Sequence, residues 1–365
     1  MKLSSFPYVI QKEILDHLSL NNLFFLSLCS KNTKNFIKQT QKYQLEKVEQ
    51  VNYWTHGTIT LLYVKSVPGK PQCIMLIIEN ASHSNKFDEE IPMNELGISI
   101  NAVRRDGLGL RYSPDSPDDE ELLLGAIHDH VYDLLGHHIK LGLMSCFSAA
   151  TSVPIIRNIQ MLDIQGDGFE STKVDEILDG FTRLECFSWT RYENDEIRLR
   201  ENSRIYDLDT VHVKGVYPLA TDILKFFNGR HVFLEGLAIF HRKIPTTDVI
   251  QFLETWKSGK HFKNLEVIRI RGGFDVQMIQ DSVEMKEVNT EVVYSYIARF
   301  SEGEFFSYDM SSGKFKSRWY MVRESDGRVA SVMLTEELIY MGVWNMTEKE
   351  FLTKFNQPVE AYPFL

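Results

Sequence analysis

The chain of 365 residues is long enough for two to three domains, and its 43% hydrophobic content is that of a globular protein able to bury a sizeable core. In a chain of formal net charge -10, basic pairs such as Arg104-Arg105 and Arg269 with Arg271 are too few to point to nucleic acid, which is not expected as a partner. No run of about 18 apolar residues is present to span a membrane; the cysteines (Cys29, Cys73, Cys146, Cys186) follow no paired spacing, so free thiols, no signal peptide and a cytoplasmic or nuclear location are expected.

The opening stretch, residues 3–37, carries more apolar side chains than a unit of about 40 residues buries alone. Ile10, Ile14, Leu15 and Leu18 fall at the spacing that gathers them on one side of a helix starting near Pro7. A second helix, capped by Asn21 or Asn22, runs from Leu23 to Cys29 and is apolar on nearly all sides, so it needs covering from two directions. A third, Lys31 to Lys42, adds mainly Phe36 and Ile37. Residues 1–47 carry a net +4, leaving -14 for the rest; this basic segment is either a face for an acidic partner or a solvated helix face. Two readings stand: helices covered by the chain's own later core, or a docking unit covered by a partner.

The residue order adds to this. Phe6-Pro7, Glu13-Ile14-Leu15, Leu18, Leu23, Leu26, Leu28-Cys29-Ser30-Lys31 and Phe36 resemble the F-box, the three-helix motif that docks onto the Skp-family adaptor of SCF ubiquitin ligases, and look most like its large nematode group. One departure is that Thr33 and Phe36 stand where many F-boxes carry a Trp. The resemblance implies an F-box at 1–45 that binds a Skp-family adaptor and through it a cullin. Its docking candidates are Pro7, Ile10, Ile14, Leu15, Leu18, Leu23, Leu26 and Leu28, some of which must face the F-box's own interior.

Gln41 to Gln50 reads as a polar connection, helix continuing into a joint. Thr58 to Val64 and Cys73 to Ile78 flank the Pro- and Gly-bearing Val67 to Pro71 and predict a β-hairpin. Ser113 to Glu121 combines prolines with an acidic run, which predicts an exposed loop with Ser113 and Ser116 as candidate proline-directed phosphorylation sites. A helix, Leu122 to Leu135, follows and leads to the densest set of reactive side chains: His128, Asp129, His130, His137 and His138. With no His-x-x-x-His pair inside the helix, these read as polar-face and helix-end residues rather than a zinc site. No catalytic, cofactor-binding or metal motif is found, and a non-enzymatic protein without cofactors is expected.

Between residues 159 and 270 one apolar spacing, Φ-x-x-Φ-x-Φ, recurs: Ile159/Leu162/Ile164, Leu184/Phe187/Trp189, Leu208/Val211/Val213, Leu234/Leu237/Ile239 and Leu265/Ile268/Ile270. The intervals of 25, 24, 26 and 31 residues, with helix-like stretches at Val174 to Phe181, Leu219 to Phe227 and Thr247 to Trp256, predict an irregular leucine-rich-repeat-like αβ solenoid; an ordinary α/β domain is the alternative. In a horseshoe, Asp163, Ser188, His212, Ala238 and Arg269 stand exposed on the concave face, the candidate surface for a target protein.

Thr246 to Gly259 with Asn264 to Ile268 is similar to the core of the type 2 F-box-associated domain, and the strand, turn and strand at 318–334, turning on Asp326-Gly327, look like that family's carboxyl-terminal part. The expected fold is α+β or α/β: a three-helix F-box (1–45), a β-rich part (46–121), the repeat-like region (122–280) and a β-rich cap (281–365), with hairpins flanking the solenoid. The function that follows is substrate recognition for an SCF-type ligase, with a protein target and neither nucleic acid nor membrane as partner. The alternative is a free-standing repeat-type binding module whose N-terminal helices form a cap.

Overall fold

The computed structural model describes residues 5–56, 59–66, 72–74, 101–104, 108–111, 117–147, 153–166, 171–191, 198–215, 217–236, 244–296 and 313–355. The chain divides into two compact units, Met1–Gln165 with Gly180–Leu184, and Gly166–Asp179 with Glu185–Leu365. Each is built of helices and a mixed sheet, an α+β arrangement. Among the described residues no helix is long and apolar enough to cross a membrane.

The first unit opens with α1 (Tyr8–Asp16), α2 (Leu20–Leu28), α3 (Lys31–Thr40) and the short α4 (Lys42–Leu45). The caps are serines. Ser19 Oγ accepts from Asn22 N at 3.3 Å to start α2, and Ser30 Oγ accepts from Thr33 N at 3.2 Å to start α3. The asparagines expected to cap α2 already lie inside its first turn. Replacing Ser30 by Ala is expected to cost about 1 kcal/mol, read as a lower urea midpoint of the first unit.

Of the connection expected at Gln41 to Gln50, the helical part is α4, and its end gives way to β1 (Val48–His56), in which Val48, Val51 and Tyr53 are wholly buried. β2 (Ile59–Ser66) and β3 (Gln72–Ile74) form the predicted antiparallel hairpin, with Leu62 opposite Ile74 and Val64 opposite Gln72; 67–71 and 75–78 lie outside the described residues. β4 (Asn101–Arg104) and β5 (Leu108–Arg111) make a separate antiparallel pair. α5 (Pro117–Leu135) begins earlier than predicted, so 117–121 are helical rather than loop. Proline suits a first turn, where no N–H is needed. Ser113 and Ser116 fall outside the described residues. β6 (Lys140–Phe147) and β7 (Met161–Gly166) complete a sheet of order β7-β6-β1-β2-β3, in which β1 runs parallel to β6 and antiparallel to β2.

In the second unit come α6 (Ser171–Gly180, all but its last residue), β8 (Cys186–Thr190), β9 (Thr210–Lys214), α7 (Tyr217–Phe226), β10 (His231–Glu235), α8 (Thr246–Ser258) and β11 (Val267–Arg271). α9 (Val276–Ser282), β12 (Lys286–Ser295), β13 (Lys314–Val322), β14 (Arg328–Leu334), β15 (Leu338–Thr347) and α10 (Glu348–Phe355) follow. The sheet order is β8-β9-β10-β11-β15-β14-β13-β12: parallel strands in chain order, then an antiparallel meander. The predicted helices at 174–181, 219–227 and 247–256 correspond to α6, α7 and α8.

One expected repeat is contradicted by the strand pairing. Leu234, expected at the first apolar position of the fourth repeat, pairs with Val213 of β9 and Ile270 of β11, both expected at third positions. Val232 and Leu234 are therefore the true equivalents of Val211 and Val213. The residue beside His212 and Arg269 is Phe233, not Ala238, which lies outside the described residues.

The turn between β13 and β14 also differs from a two-residue one. Gly327 takes φ +71° as expected, but Asp326 is not at positive φ, and the loop closes through Arg323 N to Arg328 O at 2.8 Å.

Candidate functional site

The eight docking candidates divide by burial. Leu15, Leu23 and Leu28 are fully buried, Leu18 and Leu26 are half-buried, and Pro7, Ile10 and Ile14 are exposed. The expectation that Ile10, Ile14, Leu15 and Leu18 form one side of a helix is corrected by its end and by burial: α1 stops at Asp16, before Leu18, and of the other three only Leu15 is buried. Ile10 and Ile14 are one turn apart on the outer stripe of α1, while Leu15, about 100° further round, points inward. Two residues not among the candidates add exposed apolar surface to α1: Tyr8 is 61% and Val9 72% exposed, beside Ile10 at 45% and Ile14 at 36%. Their signal was the consecutive Tyr8-Val9-Ile10, since three adjacent helical residues span about 200° and cannot all face inward. The Tyr8 ring stands edge-on to Phe36, 5.7 Å away, which ties α1 to α3. A concentration of large apolar side chains on one short helix marks an interaction surface.

The apolar α2 is covered by its own chain from one direction. Within the first unit, Ser27 Oγ donates to Phe24 O at 2.6 Å, so its single proton is spent and His130 Nε2 on α5 must donate to it at 2.7 Å. The His130 ring also sits edge-on to Phe24 at 5.8 Å. Asp133, one turn along α5, binds Lys34 at 2.9 Å and Lys38 at 2.6 Å, and hydrogen bonds from Lys38 and then Lys34 hold its carboxyl at about 2. Ser27→Ala leaves the buried His130 N–H without this acceptor and is expected to destabilise the first unit by about 1 to 3 kcal/mol, read by chemical denaturation.

The basic excess of the N-terminal segment is largely spent internally. Lys12 pairs with Asp16 at 2.7 Å and Lys42 with Glu46 at 3.6 Å, while Lys47 lies over the Tyr43 ring. The histidine cluster is dispersed rather than convergent. His128 is buried with Nδ1 3.0 Å from Tyr53 Oη, and burial lowers its pKa. His137 meets the Tyr132 ring edge-on at 4.4 Å, and His137 and His138 are exposed. Among the described residues no group of three His, Cys, Asp or Glu could hold a metal ion.

The residues expected on an open concave face are buried: Asp163 in the first unit, and Ser188, His212 and Arg269 in the second. The exposure expectation is corrected by the character of parallel strands, which are covered on both faces. β8, β9, β10 and β11 are buried at nearly every position. The charged residues of this sheet cluster with one another instead. Glu235 is paired with Arg269, and lies 3.9 Å from Lys214 and 3.8 Å from His212. Burial pushes the Glu235 carboxyl up, but His212, Arg269 and Lys214 outweigh it and hold the group at about 2. Ser188, His212 and Glu235 stand in the order nucleophile, base, acid, with Ser188 Oγ 3.5 Å from His212 Nδ1. The second contact exceeds hydrogen-bond reach and Glu235 is committed to Arg269, so the row forms an ion-pair cluster rather than a relay.

Residues 3–45 match the family model of the F-box domain. The match covers α1 to α4, and the chain carries an F-box domain at its N-terminus. No curated protein and no solved structure matches the chain.

Proposed function

We propose that this protein is the substrate receptor of an SCF-type ubiquitin ligase. It is a non-catalytic adaptor that holds a Skp-family adaptor, and through it a cullin, on its F-box and presents a target protein with the rest of the chain. The observation that carries this reading is the exposed apolar surface at the start of α1, formed by Pro7, Tyr8, Val9, Ile10 and Ile14, inside the segment that matches the F-box. Catalysis here is proximity, the chemistry belonging to other subunits. The location is cytoplasmic or nuclear.

The remainder is read as a type 2 F-box-associated domain of the nematode group, with β-rich flanks at 46–121 and 281–365 around an irregular repeat region at 122–280. Its support is the similarity at 246–268 and 318–334, together with the consecutive parallel strands β8 to β11. The alternative, a free-standing repeat-type binding module with a helical cap, draws support from the packing of α2 and α3 on α5. It leaves the apolar stripe of α1 without a role. Deleting 1–45 does not separate the two, because α5 loses its Ser27, Lys34 and Lys38 partners either way.

The separating experiment is reconstitution with a Skp-family adaptor and the N-terminal part of a cullin. The ligase reading expects a ternary complex in which the cullin joins only when the adaptor is present. A folded chain that binds neither would hand the case to the cap.

A further inference from the structure

In the first unit α5 lies between the sheet and the F-box helices, and two histidines on it face opposite ways. His128 and His130 are two residues apart, about 200° round a helix. His130 meets Ser27 of α2, while His128 meets Tyr53 of β1. Asp133 adds the ion pairs to Lys34 and Lys38 of α3. Whatever loosens the sheet side of α5 therefore loosens the support of α2 and α3.

The His128 ring is 2% exposed and only half satisfied. Nδ1 stands 3.0 Å from Tyr53 Oη, but among the described residues Nε2 has no hydrogen-bond partner. The ring also lies against the Tyr53 ring at 5.7 Å and stacks on Tyr132 at 6.0 Å. A neutral imidazole leaves one polar atom unpaired in this place. An imidazolium would add a full buried charge and leave an N–H donor without an acceptor.

The surrounding groups do not offset that charge. From β1 comes only the Tyr53 hydroxyl, which burial keeps un-ionised. Of the two charges that act on the ring, Asp129 on α5 favours the cation and Arg157, in the segment before β7, opposes it; both are exposed. Burial is the largest influence and holds the pKa below the ordinary 6.5.

We propose that His128 is an acid-sensitive fastening for the F-box: neutral, it seats α5 on the sheet, and its protonation favours opening of α5 together with the F-box helices resting on it. The opened form takes up the proton near the ordinary histidine value, the closed form below it. The stabilisation is therefore complete above about 6.5 and fades as pH falls from there toward the closed-form value, the opening equilibrium rising about tenfold per pH unit between the two. Opening stays partial, because Leu124, Ile127, Val131 and Leu134 keep α5 buried on its apolar side. The fastening does not depend on what the F-box binds.

The test is hydrogen exchange of the α5 and α2 amides in the full chain from about pH 7.5 down to about pH 5.5, corrected for intrinsic exchange. Below about 6.5 the opening of the wild-type chain is expected to rise about tenfold per pH unit. Tyr53→Phe combined with His128→Leu removes both partners of the contact together, so stability at neutral pH changes little. That double variant is expected to lose one tenfold step per pH unit relative to wild type, whatever His130 contributes to both. The same slope in variant and wild type, or no slope in wild type, would overturn the assignment. Should the variant not fold, NMR titration of the His128 ring in the wild-type chain decides: a value below the ordinary one supports the fastening, and a value at or above it removes it.

Discussion

Replacing Glu235 by Gln is expected to lower the stability of the second unit by about 3 to 5 kcal/mol, because it strips the buried Arg269 of its counter-charge. The same pair sets an acid limit. The Glu235 carboxyl titrates at about 2 in the folded state against 4.5 ordinarily: burial pushes it up, and His212, Arg269 and Lys214 together pull it down further. Its folded value is depressed, so the unfolded chain takes up the proton first. The stabilisation, about 3 kcal/mol, is complete above the ordinary value and fades as pH falls from there toward the folded one. Urea unfolding at neutral and acid pH reads both effects, and the Gln variant should lack this share of the acid slope. Glu235→Leu combined with Arg269→Met removes the buried pair together, leaving only the solvent-reaching Lys214 without this partner, and is expected to cost much less. A small effect of the single substitution would mean that Arg269 finds another partner.

Ile10→Asp with Ile14→Asp is expected to reduce binding of a Skp-family adaptor by about a hundredfold or more, as loss of anchor residues at an interface centre does. Circular dichroism and the melting temperature should change little, since both side chains are already exposed in the isolated chain. Leu28→Asp behaves differently. Leu28 is fully buried, so a carboxylate there is expected to cost more than about 4 kcal/mol and unfold the F-box helices. Loss of adaptor binding by that variant therefore says nothing about contact, whereas loss by the Ile10 and Ile14 variant does.

These contrasts show where sequence reasoning reached and where it stopped. Local periodicity located α1 to α3, α5 to α8, β2 with β3, and β13 with β14, because each carries its own apolar spacing or turn residues. It missed β1, whose buried Val48, Val51 and Tyr53 are diluted by Glu49, Gln50 and Asn52, and which becomes evident only from its pairing with β2 and β6. The mismatch at the expected fourth repeat has another origin: Leu234/Leu237/Ile239 fills all three apolar positions, whereas the position three before Val232 is Gly229, and only pairing with β9 and β11 selects Val232 and Leu234.

The candidate site was legible as a segment but not as a surface. The order of residues from Phe6 to Phe36 pointed to an F-box, yet the division of its leucines and isoleucines between interior and exterior depends on α5. His130 and Asp133 reach back to residues about a hundred positions earlier, and no periodicity records that. The polar strand positions were read as exposed because a horseshoe leaves one sheet face open. In this chain both faces of β8 to β11 are covered, and His212 and Arg269 serve the Glu235 ion-pair cluster.

The most direct measurement is co-expression of the full chain with a Skp-family adaptor, followed by size-exclusion chromatography with light scattering. A single species with the summed mass of one chain and one adaptor, lost in the Ile10→Asp, Ile14→Asp variant that keeps its circular dichroism spectrum, is the result predicted. Separate elution of adaptor and well-folded wild-type chain would contradict the receptor reading.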